Sequence, residues 1–411
     1  MSSRARLAWP LYLAWLLCLA CLGCSHSVVI LELRDAGDDQ PSDAAADAGA
    51  DAEPVPPAGS VSAVAACGFT CAVDDAGVWC WGTDDDGDLP LASDQSAAQP
   101  RRADGAYVQL CSAEVHACGL RKDGEIECWG GNAQGQLGLG DSEPRAAPTP
   151  LGLGVSFVAV ACGGRASCAI ADTGKLYCWG DNSEGVPAQA DPYGSPHVLT
   201  PSLAALDVAV RQVSVGQGHA CAVAINGALY CWGRNTDSQL GLGSTPIQQR
   251  KPAPSDGSAR YNQVAAGQQH TCGIRNDGAV YCWGRELAGR LGQGAQQDGK
   301  VVVPGQVGKD SDFVAVSVHW FHSCARRLNG RLLCWGRNQE GQLGVGDEAL
   351  RDVPTPVSGP SAWTSFTVGR FHTCGITQSQ LYCWGMNDTG ALGLPSDERQ
   401  NTPARVPLEE P

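Results

Sequence analysis

Residues 213–243 read VSVGQGHACAVAINGALYCWGRNTDSQLGLG. The stretch opens on a short apolar strand (Val213, Val215) and a glycine turn. A strand from His219 to Val223 follows, then a tight turn at Asn226-Gly227 and a strand from Ala228 to Trp232. Alternating apolar residues bounded by Asn-Gly and Gly-rich turns are the pattern of antiparallel hairpins. The Cys-Trp-Gly inside it occurs seven times, at Cys80, Cys128, Cys178, Cys231, Cys282, Cys334 and Cys383, in steps of 48, 50, 53, 51, 52 and 49 residues. A unit recurring at about 50 residues is the signature of a repeat architecture, in which each copy buries its faces on its neighbours.

A Pro-containing extended segment leads from copy to copy, as at Pro148-Thr149-Pro150, Pro354-Thr355-Pro356 and Pro403–Pro407. That makes about four short strands per unit, the size of a propeller blade. The reading is an all-β, seven-bladed β-propeller of four-stranded antiparallel blades over residues 61–411. The Pro-rich strand is expected to start the next blade. A C-terminal strand at about 402–407 is expected to return to the first copy and close the ring, with Pro54–Pro57 as competitor.

The chain has 411 residues, 52 Gly, 25 Pro, 17% charged residues and a formal charge of −15. This turn-rich composition fits an all-β fold. With no basic run, it argues against a general nucleic-acid binder, which needs positive surface to meet phosphates. Arg4 and Arg6 followed by the apolar stretch Leu7–Leu22 read as a secretory signal, too short for a stable transmembrane helix. Gly23-Cys24 resembles the end of a lipoprotein signal. The expectation is a signal peptide at 1–23 with lipidation at Cys24; Cys21 is the runner-up, and a soluble secreted form is the alternative. Residues 24–60 are rich in Asp, Ala and Pro (DAGDDQPSDAAADAGADAEPVPPAGS over 35–60) and read as a disordered spacer. The expected location is the surface or outer membrane of a bacterium, with the membrane met through the lipid alone and the protein a monomer.

Each Cys-Trp-Gly cysteine has an upstream partner. Five pairs stand ten residues apart: Cys118/Cys128, Cys168/Cys178, Cys221/Cys231, Cys272/Cys282 and Cys324/Cys334. Glycine follows each midpoint, at Gly124, Gly174, Gly227, Gly278 and Gly330, where a three-residue hairpin loop turns left-handed. The two cysteines then face each other across antiparallel strands, within disulfide reach. Cys71/Cys80 and Cys374/Cys383 are nine apart and call for a four-residue loop, ended by Gly77 in the first copy and formed by Thr377–Gln380 in the last. Seven within-blade bridges fit an oxidising compartment. Zinc would need four ligands gathered together, which separate blades do not supply. Of the cysteines left over, Cys67, Cys111 and Cys162 sit near equivalent points of the first three copies. They are either buried small hydrophobes or include one inter-blade bridge, for example Cys67–Cys111. The tryptophan after each bridge cysteine points to the opposite face and is expected to pack on a neighbouring blade.

The repeats resemble those of the regulator of chromosome condensation (RCC1-like) family, over roughly residues 61–407. The matching elements are Gly-x-x-His, the Asp/Asn-Gly hairpin, Tyr-x-Trp-Gly and the tail Asn-x-x-Gly-Gln-Leu-Gly, seen at Asn132–Gly138 and Asn338–Gly344. The resemblance implies a propeller that binds other macromolecules. Its members include nucleotide-exchange factors for small GTPases and a secreted bacterial propeller that inhibits β-lactamases. The exchange wedge of the eukaryotic factor is an added hairpin, and steps of 48–53 residues leave little room for one.

Few residues carry chemistry. His116, His219, His270, His322 and His372 each stand two before a bridge cysteine, one per copy, and are expected to bond their own blade's turn rather than to share a metal. Asp84–Asp88 resembles part of a calcium loop but aligns with the ordinary turn Asn132–Gln136. No nucleophile elbow, zinc-protease helix or phosphate loop is present in the sequence, so no catalytic residue and no cofactor is assigned. The copies differ most just before the histidine. Phe69, Trp320, Phe321, Arg370 and Phe371 are expected to form one aromatic–arginine patch, of the residue types that binding hot spots favour, or else to plug the axis. The reading is a non-enzymatic cell-surface scaffold that recognises a protein through one face. The alternatives are a guanine-nucleotide exchange-type regulator and an extracellular polysaccharide-acting propeller enzyme, which would need converging carboxylates or histidines.

Overall fold

The computed structural model describes residues 25–26, 63–66, 69–74, 77–82, 97–103, 107–189, 194–243, 246–294 and 299–408. Residues 1–23, expected as a signal peptide, Cys24, Cys67, Asp84–Asp88 and nearly all of the expected spacer lie outside them. After the two-residue β1 (Ser25–His26), the first copy forms β2 (Ala63–Ala66), β3 (Phe69–Asp74), β4 (Gly77–Gly82) and β5 (Ala97–Ala103). The second forms β6 (Tyr107–Ala113), β7 (His116–Arg121), β8 (Ile126–Gly130) and β9 (Arg145–Pro150). The third forms β10 (Phe157–Gly163), β11 (Ala166–Ala171), β12 (Leu176–Asp181) and β13 (His197–Leu203). The fourth forms β14 (Val210–Val215), β15 (His219–Ala224), β16 (Leu229–Arg234) and β17 (Gln248–Ser255). The fifth forms β18 (Tyr261–Ala266), β19 (His270–Arg275), β20 (Val280–Glu286) and β21 (Gly299–Gln306). The sixth forms β22 (Phe313–Val318), β23 (His322–Arg327), β24 (Leu332–Gly336) and β25 (Arg351–Pro356). The last forms β26 (Ser365–Val368), β27 (His372–Thr377), β28 (Gln380–Gly385) and β29 (Gln400–Arg405).

Three findings correct the sequence reading of the ring. The strands form six blades, not seven: five sheets of four strands and one of nine. The cause is β1, which pairs with β6 (Ser25↔Ala113, His26↔Ser112) and with β10 (Ser25↔Gly163), fusing the second and third copies. The Pro-rich strand is the fourth strand of its own copy rather than the first of the next, as β8–β9 shows (Cys128↔Thr149, Glu127↔Pro150). It lies at a sheet edge, the place where a strand tolerates residues without an N–H. The strand expected at about 402–407 is β29, and it pairs with β28 of its own sheet (Cys383↔Ala404). The ring closes instead by packing of β2 against β26 and β27.

The first strand of each copy faces its counterparts in the neighbouring copies, so these strands line the inside of the ring. Between copies, the tryptophan of one lies on the disulfide of the one before. Trp129 packs with Cys71 and Cys80, Trp179 with Cys118 and Cys128, and Trp283 with Cys221 and Cys231. At closure Trp81 packs with Cys374 and Cys383. Fully burying so large a ring on each bridge supplies several kcal/mol per junction, of order 3–5 by the cost of truncating buried aromatics. The glycine of Cys-Trp-Gly serves the same geometry. Gly284 has φ +105°, and a Cβ there would meet the Gln269 carbonyl oxygen at 2.5 Å. Only glycine adopts that backbone next to so close a carbonyl.

Seven disulfides link cysteines within copies: Cys71–Cys80, Cys118–Cys128, Cys168–Cys178, Cys221–Cys231, Cys272–Cys282, Cys324–Cys334 and Cys374–Cys383. Their Cα atoms are 4.0–4.1 Å apart, since each pair is a directly opposed cross-strand pair. The last hairpin is tighter than the four-residue loop expected. Thr377 pairs with Gln380, leaving the two-residue loop Gln378-Ser379, with φ +50° and +59°. Two successive positive φ values are the primed turn that a two-residue hairpin prefers.

Candidate functional site

The backbone carbonyls of His219, His270, His322 and His372 accept from their own turns, but the five imidazoles reach out of the copy. Each sends Nε2 to a hydroxyl of the next copy. The pairs are His116–Ser167 (2.8 Å), His219–Thr271 (2.8 Å), His270–Ser323 (3.0 Å), His322–Thr373 (2.9 Å) and, across the closure, His372–Thr70 (2.9 Å). Each hydroxyl donates its single proton to a carbonyl of the histidine's copy. The acceptors are Gln136, Gln239, Arg290, Gln342 and Ala391. The hydroxyl must therefore accept from the imidazole, which fixes the Nε2–H tautomer. Several of these carbonyls also accept the indole N–H of the next copy's tryptophan, as Gln239 does from Trp283 (2.9 Å) and Ala391 from Trp81 (3.0 Å). Burial lowers the pKa of His116, His219 and His322 to about 3 and that of His372 to about 4. These imidazoles stay neutral near pH 7 and act as bolts between copies.

The hydroxyl partners were missed in the sequence reading, although a signal was present. Histidine occurs only where the following copy has Ser or Thr before its first bridge cysteine. Where that position is Ala117 or Ala220, the preceding copy has Phe69 or Ala166 in the histidine's place. Register confirms the equivalence: Phe69 pairs with Gly82 as His116 pairs with Gly130.

This also relocates Phe69. It stands in the histidine register, fully buried with Val73, Tyr107 and Trp129, and takes no part in a surface patch. The other four candidates do come together. Trp320 and Phe321 form the turn between β22 and β23, and Arg370 and Phe371 the equivalent turn between β26 and β27. Both turns leave the ends of inner strands, so they lie on the inner rim at one end of the ring. The Trp320 and Phe321 rings are 5.5 Å apart edge to face, and Phe321 and Phe371 stack at 6.0 Å and 19°. The Arg370 guanidinium sits 4.1 Å from the centre of the Trp320 ring and 5.2 Å from that of Phe371. Arg337, next after β24, lies over Phe321 and Phe371 at 5.2 and 5.5 Å, and buried Arg290 over Phe321 at 5.0 Å. Arg337 is oriented by Glu340 (Nε–Oε2 3.1 Å).

The guanidiniums stack on the aromatic rings and cover part of their faces. Trp320 is buried, whereas Phe321, Arg337, Arg370 and Phe371 are half-exposed. The arrangement presents an amphipathic surface and offers no nucleophile or acid–base pair. Among the described residues, one group of three potential metal ligands lies close enough to share an ion: Cys111, Cys118 and Cys162. Cys111 and Cys162 are joined by a disulfide between β6 and β10, which replaces the Cys67–Cys111 bridge considered from sequence.

The RCC1-like domain family model matches residues 77–410. The ultraviolet-B receptor UVR8 of Arabidopsis thaliana is 32% identical over 268 residues, 62% of this chain and 58% of that protein. The match thus spans less than two thirds of that relative's length. The secretion-regulating guanine nucleotide exchange factor of Bos taurus is 26% identical over 320 residues, 70% of this chain and 67% of that protein. Among solved structures, Prp20p of Saccharomyces cerevisiae, described with its binding to Gsp1p and histones, superposes with a TM-score of 0.68 at 20% identity. That superposition covers 82% of this chain and 87% of Prp20p. At that identity the likeness shows the fold.

Proposed function

Because this chain belongs to the RCC1-like domain family, we propose that it is a non-enzymatic scaffold binding a protein partner on the inner rim where its last three copies meet. The observation that carries the reading is the Trp320–Phe321–Arg370–Phe371 cluster with Arg337 stacked on it. Binding energy concentrates in rigid aromatic and arginine anchors, and Trp and Arg are the residue types most enriched there. A ring presenting divergent turns on otherwise uniform copies is suited to holding such anchors in place. Relatives and fold neighbours with exchange-factor or partner-binding roles support a binding or regulatory propeller. In this proposal the chain is exported, tethered by lipid at Cys24 and held off the membrane by residues 24–60. It works as a monomer without a cofactor.

The test uses the exported chain as bait on surface extracts, beside the double variant Arg370→Ala, Phe371→Ala. Both residues are half-exposed, so their removal should leave the melting temperature within a few degrees. A partner retained by the wild type and lost by the variant supports the proposal; equal capture by both rejects the rim as the binding face.

A further inference from the structure

Cys118 stands in the middle of a row of three cysteines across adjacent strands. It pairs with Cys111 on β6 in the cross-strand register and with Cys128 on β8. Residues directly opposed on antiparallel strands carry their side chains on the same face, so the three sulfurs share one face of the second copy. On the third copy, Cys162 faces that row: Cys111, Cys118, Cys128 and Cys162 belong to one buried cluster. The sulfurs of Cys111, Cys118 and Cys162 all lie within 4.8 Å of one another. In the other copies the position opposite the first bridge cysteine is Ala65, Ala161, Ser214, Ala265, Ser317 or Thr367. Among the described residues, a third sulfur opposite a bridge cysteine is therefore particular to the second copy.

We propose that Cys111, Cys118, Cys128 and Cys162 form a thiol–disulfide exchange site that makes the tie between the second and third copies reversible. With Cys111 and Cys162 joined, the two copies are locked. A dithiol reductant delivers two electrons and two protons to that bridge, is itself oxidised to a disulfide, and leaves two thiols. The Cys111 thiolate then attacks the Cys118 sulfur. The Cys111–Cys118 bond forms, the Cys118–Cys128 bond breaks, and Cys128 leaves as the thiolate. The step conserves disulfides and needs no further oxidant. Bridge sharing within the second copy keeps Cys111 away from Cys162 and leaves the copies joined without a covalent tie, by packing, by the β1 pairings and by hydrogen bonds such as His116–Ser167 and Val160 N–H to Gln109.

The decisive experiment is the full exported chain with Cys162→Ser, which leaves Cys111 as a free thiol beside Cys118–Cys128. The protein is quenched in acid, alkylated and digested with trypsin. Cys111 and Cys118 fall on one peptide ending at Arg121, and Cys128 on a later one. Exchange predicts two populations within about tenfold of each other: the internal Cys111–Cys118 bridge with alkylated Cys128, and Cys118–Cys128 with alkylated Cys111. Cys118–Cys128 alone, as uniform as the Cys221–Cys231 reference in the same digest, overturns the proposal. Should the variant fail to fold, the wild-type chain treated with limiting dithiothreitol serves instead. The internal Cys111–Cys118 peptide must then appear as Cys111–Cys162 is lost; loss without it rejects the exchange.

Discussion

Acidification from pH 7 to pH 5 should loosen the ring at its junctions. His116, His219 and His322 are fully buried between copies with pKa about 3, and His372 with about 4. Released into the unfolded chain, each returns to about 6.5. Between these values the unfolded state binds protons that the folded state refuses, so stability falls as pH falls below about 6.5. The loss levels off once pH passes below the folded values. At pH 5 the uptake costs about 2 kcal/mol per histidine, and about 8 kcal/mol for the four together. That is comparable to the whole stability of an ordinary domain. The assay is guanidinium unfolding of the oxidised protein at half-unit steps from pH 7.5 to 4, with the midpoint and slope followed at each pH. The cause is isolated by the double variant His219→Phe, Thr271→Ala, which copies the apolar junction of Phe69 and Ala117. It should remove one proton from the pH dependence and recover about 2 kcal/mol at pH 5 relative to the parent's own loss. A midpoint unchanged between pH 7 and 5, or an undiminished pH slope in the double variant, would refute the reasoning.

Two further substitutions test the junctions from other sides. Trp283→Ala removes a fully buried indole from the Cys221–Cys231 bridge and its hydrogen bond to Gln239, and should cost about 3–5 kcal/mol in chemical unfolding; a loss under 1 kcal/mol would deny that tryptophans hold the copies together. Gly284→Ala forces a Cβ to within 2.5 Å of the Gln269 carbonyl oxygen at φ +105°, and should destabilise by about 1–3 kcal/mol, whereas Gly308→Ala, with nothing within 4 Å of its Cβ, should cost less.

What could be read from the sequence was whatever repeats. Seven Cys-Trp-Gly motifs and a glycine at the turn of each ten-residue pair carry strand pairing and bridge geometry locally, because a hairpin's register follows from its loop. Relations between copies were harder. The histidine's partner lies about 50 residues away in the next copy, and only comparing which copies carry His with which carry Ser or Thr exposes it. Phe69 was misplaced because the first copy's inner turn is shorter, so an aromatic in the histidine register was taken for one in the variable turn. The fusion of two blades by β1 depends on two residues far upstream of the repeats, with no periodic signal to mark them. In the patch, Trp320, Phe321, Arg370 and Phe371 were found as departures from the repeat. Arg290 and Arg337 were not, since each sits in a repeat tail whose packing only the assembled ring reveals.

The proposed binding role is tested most directly by the dissociation constant of the captured partner, measured for three chains. These are the wild type, Arg370→Ala with Phe371→Ala, and a control, Ile225→Ala with Leu328→Ala. The control residues are 56% and 74% exposed on hairpin turns at the opposite end of the ring. Loss of two hot-spot residues predicts affinity weakened about 100-fold or more for the rim variant, with the control within about twofold of wild type. Equal affinity in the rim variant, or loss in the control instead, would contradict the account.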